Sequence, residues 1–320
     1  MLAKFYHNAR RRFFPTVADI QVENEEHIAA LKLHPEVERR VRMTVSCRDA
    51  DTIPKVRRRW AGKVHIEDGV QVQYMHNGVK VLAGGYHGAW MGEIIRQLRG
   101  HHEPQEEWAF HQIVQRVRDG GVMLELGSFW AYFSLWFAVT VPHSTNYLVE
   151  PDANNMAVGL KNFELNGLSA TSLQASVGAV SLQPRPFTCE STNTVEQILE
   201  ISVDDFVEQH NIAKLDLILA DIQGAELPML HGLVRSLAAK KLRFVVVSTH
   251  HHSISGSRTT HADCLAWLQQ HGATVFAEHA VEEGYSGDGV IVASFDPADA
   301  NLPKIELSRN QPANSLFRGE

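Results

Sequence analysis

The sequence predicts an α/β protein built on an open, mostly parallel sheet with a nucleoside pocket at the carboxyl ends of its strands. Three stretches predict it. In VMLELGSFWAYFSLWFAVTV, Val122 to Val141, an apolar run through Glu125 turns at Gly127 and Ser128, and helical spacing follows through Phe133, Trp136, Phe137 and Val141. About twenty residues later YLVE ends in Glu150, with Pro151 and Asp152 behind it. In LDLILADIQGAELPMLHG, Leu215 to Gly232, another apolar run ends in Asp221 beside Gly224 and a helix carrying Glu226. Open parallel sheets bind ligands outside the carboxyl ends of their strands, so carboxylates at three such ends belong to one cleft. An unpaired buried charge is costly, which argues against a packing role for them.

The glycine count selects the nucleoside. A pyrophosphate needs close backbone approach and therefore several glycines in one turn. Here Gly127 stands alone, the position four residues on is Ala131, and bulky Phe129 and Trp130 lie between. No Gly-Lys-Ser/Thr phosphate loop follows. A ligand with a ribose and no phosphate fits, and S-adenosylmethionine (SAM) is the common one. Glu150 is placed to accept hydrogen bonds from the ribose diol, and Glu125 to face the cationic methionine end. For the first stretch taken alone, a buried strand-turn-helix with no ligand is the plainer alternative.

Composition sets the outer limits. A chain of 320 residues, 44% apolar and 21% charged, is long enough for one large domain or a core with an appendage. No apolar run approaches the roughly eighteen residues a membrane span needs. The start, MLAKFYHNARRRFF, is basic but lacks an apolar core and cleavage site; it reads as a solvated arm and not as a signal peptide. Residues 1–60 carry a net charge of +5 and the remainder −12, an acidic body that argues against nucleic acid as the main substrate. Cys47, Cys189 and Cys264 are widely spaced, which suits a reducing cytoplasm and gives neither a disulfide framework nor a metal knuckle.

Residues 1–99 read as an appendage of helices and a β-hairpin, residues 100–295 as the main domain, and residues 296–320 as a polar surface extension. Glu23 to Arg42 has a mixed-charge helical pattern broken by Pro35, and RRRW at 57–60 is a basic cluster. Between Val64 and Ala83, VQVQYM and VKVLA form a hairpin turning at Asn77-Gly78, packed at one edge of the main domain. Tyr86 to Leu98 has helical spacing. In GHHEPQEEWAFH, Pro104 opens a helix whose positive end Glu106 and Glu107 complement, and Glu103 just before it is placed to receive the cofactor's ammonium. A helix over Asp152 to Asn166 stops at Gly167, and TSLQASV at 171–177 is a strand whose end, with Ser176, lies near an adenine. Gly178 to Thr194 is strand-like and polar, and finds no place in the pattern. Ser202 caps the next helix. LRFVVVSTHHHS runs from a strand into His250, His251 and His252; a helix over Asp263 to His271 and strands at 273–279 and 287–294 close the sheet.

These residues together resemble a known family. ELGSFWAYFSLWFA, EPDANN with KNFELNG, SVDDF, DLILADIQGAELPMLHG and GDGVIVA, in that order over about residues 100 to 294, are similar to the FkbM family of SAM-dependent methyltransferases. The resemblance implies the class I methyltransferase fold, a seven-stranded, mostly parallel sheet with helices on both faces and an antiparallel hairpin at its end. It also implies O-methylation, commonly of sugar hydroxyls in glycans or glycosylated small molecules. Carried over by position, Glu125, Gly127 and Ser128 match the first SAM motif, Glu150 the ribose-binding acid, and Asp221 to Glu226 the family's Asp-x-Glu-Gly-x-Glu stretch. The departures are Ala131 for the motif's last glycine, Glu125 for its opening Asp, Ala220 for the usual Lys, and Gln223 for the middle Glu. The last two change the charge beside the methyl-transfer position.

Methyl transfer to an alcohol needs alignment and a general base. The expectation is that His250 or His251 takes the proton while Asp221 orients it or the acceptor, a small molecule or saccharide. A metal-assisted variant, with Mg²⁺ held by Asp221, Glu226 and His250, stands second, and no metal is favoured. Two other classes stay open: a catalytically silent SAM- or glycan-binding module, and a histidine-based metal hydrolase, for which no HExxH pattern is present. Homo-oligomerisation is also left open.

Overall fold

A computed structural model describes residues 17–317, so the basic start at 1–14 lies outside the described residues. The chain opens with helices α1 (Val17–Leu31) and α2 (Pro35–Thr44). The helical pattern breaks before Pro35, as its sequence suggests, and Pro35 opens α2 in the first turn, where a missing N–H costs nothing. A three-stranded antiparallel sheet follows, β1 (Val64–Glu67), β2 (Val70–Tyr74) and β3 (Lys80–Leu82), so the Asn77-Gly78 hairpin is joined by a second one turning at Asp68-Gly69. Helix α3 (Ala89–Gln97) begins three residues later than its spacing suggests, because the loop 84–88 carries left-handed backbone at Gly84, His87 and Gly88. Helix α4 (Pro104–Val114) completes this part.

The main body alternates strand and helix: β4 (Val122–Leu126), α5 (Tyr132–Thr140), β5 (Thr145–Val149), α6 (Ala153–Leu165) and β6 (Thr171–Leu173). Three strands then form a separate small sheet, β7 (Ser176–Val177), β8 (Leu182–Thr188) and β9 (Val195–Ile201), before α7 (Val203–Gln209). The second half runs β10 (Leu215–Ala220), α8 (Glu226–His231), α9 (Val234–Ala238), β11 (Leu242–Thr249), α10 (His252–Ser255), α11 (Thr260–Gln270), β12 (Thr274–His279) and β13 (Gly289–Ser294). The seven-stranded sheet has the order β12-β13-β11-β10-β4-β5-β6, with β13 antiparallel to both neighbours and the other contacts parallel. Strand order reverses between β4 and β10, the place where an open sheet leaves a crevice.

The strands bury both faces. Met123, Leu217, Leu219, Phe244 and Val246 join one apolar cluster; Leu124, Leu126, Ile218, Ala220, Val245 and Val247 join another on the opposite face. The first cluster continues without a break into Ile28, Val41, Met75 and Ile94. The small β1–β3 sheet sits on α6: Asn162 and Asn166 accept from the backbone N–H groups of Leu82 and Lys80, at 2.8 and 2.9 Å.

Three local expectations change. TSLQASV is not one strand: β6 ends at Leu173, and Ser176–Val177 pairs with β9 instead. Glu106 and Glu107 do stand in the first turn of α4, but both are buried, Glu107 completely. Residues 296–317 are not a loose extension. Ile305 is buried and bonds to the Phe276 carbonyl, Trp108 and Gln105 donate to the carbonyls of Glu306 and Ser308, and Arg39 grips the carbonyls of Asn314, Ser315 and Leu316.

Candidate active site

The carboxyl ends of β4, β5 and β10 meet at one cavity. Asp221 N donates to Leu126 O at 3.0 Å, and Gly127 and Ser128 both donate to Val149 O, at 2.9 and 3.1 Å. The approach is so close that a methyl group on Gly127 (φ +75) would lie 1.8 Å from Asp221 O; only glycine fits. Ala131 also holds a left-handed backbone (φ 57) at the head of α5, where the family's glycine would be unstrained.

A cavity of about 400 Å³ opens over these ends, a size that suits a small cofactor. Glu103, Glu125, Gly127, Ser128, Glu150, Pro151, Ser176 and Asp221 all border it. Glu125 accepts from Ser134 N in the first turn of α5 at 2.8 Å, and Glu150 accepts from Phe129 N and Asp152 N, both at 3.0 Å. Neither has a cation beside it. Burial outweighs those bonds and pushes each carboxyl up to about 7. Asp152 caps α6 and also accepts from Ser191 N at 2.7 Å, tying the loop after β8 to the rim.

The far wall was not foreseen. Tyr86, His87 and His102 line it from the loops flanking α3, and Arg185 and Phe187 line it from β8. The one signal for it was the glycine-flanked Tyr86-His87 pair in GGYHG. His87 (φ 47) lies 3.8 Å from Glu190, and burial holds its ring below the usual imidazole range, so it is neutral. His102 lies between Glu103 (3.4 Å) and Glu107 (2.7 Å); burial lowers it, but the two carboxylates win and raise it to about 10.

His250 is placed differently from the expected base. Its Nε2 faces Asp221 at 3.0 Å and its Nδ1 faces Glu226 at 2.8 Å. Burial disfavours its charge, yet the two carboxylates raise it well above the ordinary histidine value. Both nitrogens therefore carry protons, and an imidazolium has no lone pair to offer. Its role here is to keep Asp221 ionised: burial would raise that acid, and His250 brings it down. His251 turns away from the cavity, accepts from Ser253 N and stacks on Phe317 at 3.9 Å.

Because His250 fills the space between them, Asp221 and Glu226 do not converge with it on a common point. Among the described residues, the group with metal-ligand spacing is His76, His101 and Glu107. Its two rings are stacked, 4.2 Å apart and 20° from parallel, so their lone pairs run side by side, and Nδ1 of His76 meets the Tyr132 hydroxyl at 2.9 Å. That is a buried hydrogen-bond cluster joining the β2–β3 turn to α4 and α5.

The donor set suits SAM on one further observation. Ser128 borders the cavity, and its buried Oγ has no hydrogen-bond partner among the described residues. With carboxylates for a diol and an ammonium, and no glycine cradle for phosphates, the residues present match a charged, phosphate-free nucleoside. A model of the methyltransferase FkbM domain matches residues 112–275, half of the chain. The chain belongs to the FkbM methyltransferase family. Residues 112–275 are its methyltransferase domain, and the cofactor is SAM. Over 83 residues it is 31% identical to the hexuronic acid methyltransferase AglP of Haloferax volcanii; the match covers 24% of this chain and 34% of that protein. The chain thus spans about a third of that relative's length. Among solved structures, a METTL16 MTase domain aligns with 70% of this chain and 86% of its own at 16% identity and a TM-score of 0.43. The precorrin-6y C5,15-methyltransferase of Geobacter metallireducens aligns with 59% and 87% at 12% identity and a TM-score of 0.38. No helix in the described residues is long and apolar enough to cross a membrane.

Proposed function

We propose that this methyltransferase acts on a hydroxyl oxygen of a saccharide or sugar-bearing small molecule. The observation that carries the reading is one cavity bordered by three groups: the Glu125 and Glu150 tips, the ionised Asp221 held by His250, and a neutral His87 on the wall opposite. The preference for sugar rests on the relative named for hexuronic acid.

Glu150 holds the ribose diol, Glu125 and Glu103 face the ammonium, Ser128 donates to the carboxylate, and Pro151 and Ser176 border the base. SAM held there would supply an electrophilic methyl: the acceptor O–C bond would form as the S–C bond breaks, its electron pair leaving with the neutral thioether sulfur. The acceptor's proton goes to Nε2 or Nδ1 of His87, whichever is unprotonated, and Asp221 orients the hydroxyl as hydrogen-bond acceptor. The aromatic wall of Tyr86, Phe129 and Trp130 limits the access of water to the methyl.

Radiolabelled SAM incubated with a panel of hexoside and hexuronoside acceptors tests this. The expected product is an alkali-stable methyl ether. An alkali-labile product would be a methyl ester, and transfer to the uronate carboxyl would replace the hydroxyl reading. SAM binding with no transfer to any panel member would favour a silent binding module.

A further inference from the structure

The basic RRRW stretch has no part in the cavity, yet it borders a second concavity. We propose that the cleft formed by the turn at 49–52, the loop through Arg58 and the C-terminal end of α3 is a binding site for a phosphate-type dianion. The cleft encloses about 540 Å³ and is bordered by Arg48, Lys55, Arg58 and Arg99, with Asp51 the one carboxylate on its lining. Asp51 reaches only Arg48, at 3.8 Å. Among the described residues, Lys55, Arg58 and Arg99 have no carboxylate within ion-pair distance.

Two of the three heads, those of Lys55 and Arg99, are positioned by the main chain instead. Lys55 Nζ donates to the carbonyls of Asp51 and Ile53, and Arg99 donates to the Arg58 carbonyl at 3.2 Å. Behind the cleft, two glycines permit close backbone approach beside its lining residues. A methyl group on Gly62 would lie 2.7 Å from Ile95 O, and one on Gly100 would lie 2.3 Å from His76 N. Arg99 itself sits in left-handed backbone (φ 57), a conformation rare for arginine. Crowding three like charges in a fixed concavity costs free energy that an anion would return. The same crowding shows at Lys55, which burial and Arg99 together push below the usual lysine range. Guanidinium groups match phosphate oxygens in pairs, which favours phosphate over a carboxylate.

Phosphate chemistry comes from two sources, a soluble phosphorylated compound or a lipid head group, and Val56 (72% exposed) and Trp60 (39%) lie in the same loop. The test titrates the full chain with inorganic pyrophosphate by calorimetry at low salt, and sediments it with phosphatidylcholine vesicles with and without phosphatidic acid. The control is an R58Q/R99Q double variant whose melting temperature and SAM affinity match the parent. Expected is pyrophosphate binding that weakens at least about tenfold in the double variant and with added salt. Sedimentation that requires phosphatidic acid and is lost in the variant assigns a lipid source; pyrophosphate binding without sedimentation assigns a soluble one. Absence of both, or binding that the double variant leaves unchanged, overturns the proposal. None of these outcomes depends on methyl transfer, so the site and the catalytic reading fail separately.

Discussion

Two halves of one sheet edge bury carboxylates in opposite ways. At β4 and β5, Glu125 and Glu150 accept from backbone N–H groups and have no cation partner among the described residues, and burial lifts both to about 7. At β10, Asp221 and Glu226 grip one imidazolium, and Asp221 stays below its ordinary value. The first pair is incomplete without a ligand that brings a cation or hydroxyl donors. The second pair has its own counter-charge in His250, which keeps Asp221 ionised whether or not a ligand is present. A carboxylate's protonation is thus set less by depth than by what shares the pocket.

The largest effect should come from the seam between the halves. Gly127→Ala forces the β4 and β10 tips apart against both strain and overlap, and should cost about 3–5 kcal/mol, read as a large fall in melting temperature with loss of SAM binding. A variant melting near the parent would mean the tips are not locked together. Next, Asp221→Ala or His87→Gln should lower turnover by about 10²–10⁴-fold while SAM affinity changes little. Asp221→Ala working at the parent rate would remove it from the reaction.

Glu150→Gln, on the other half, should weaken SAM binding by about 10–100-fold, since hydrogen bonds to a charged acceptor contribute about 1.5–3 kcal/mol. The halves should also differ in their response to pH. Free Glu125 is protonated below about 7, and the ammonium favours its ionised form, so binding expels a proton. SAM affinity should climb as pH rises through 7 and then level off, with proton release measured by calorimetry in buffers of different ionisation enthalpy. Glu125→Gln should flatten that slope, whereas Asp221, already ionised, adds none. Stability has its own signature through His102. Its folded value, about 10, lies above the unfolded one, so its stabilisation is full below about pH 6.5 and fades as pH rises towards 10. Thermal melts across that range should show the decline, and His102→Gln should shrink it. Smallest of all, Ala131→Gly relieves left-handed strain but loses a buried methyl, and should shift stability by less than about 1 kcal/mol either way.

Much of this edge was legible in the residues. Carboxylates ending apolar runs marked all three tips, Asp152 and Ser202 announced two helix starts, and Asn77-Gly78 a turn. What escaped has physical causes. Strand β8 carries Pro184 and Pro186, which a strand tolerates only at an edge, so its pattern resembled a loop. His250 looked like a base because its neighbours in sequence are polar; its neighbours in space, Asp221 after β10 and Glu226 on α8, favour its protonated form. His251 finds its ring partner at Phe317, and His87 lies in a loop with no periodicity to expose it.

The strap formed by residues 305–316 bears on how the molecule is made. Arg39 takes its carbonyl partners 275 to 277 positions further along the chain, and Asp49 receives the N–H of Ser308, 259 positions away. During synthesis, helix α2 therefore emerges long before the groups that fasten it. Until then it must be shielded by shorter-range packing or by a chaperone, and the emerging chain should be most open to proteolysis in that interval.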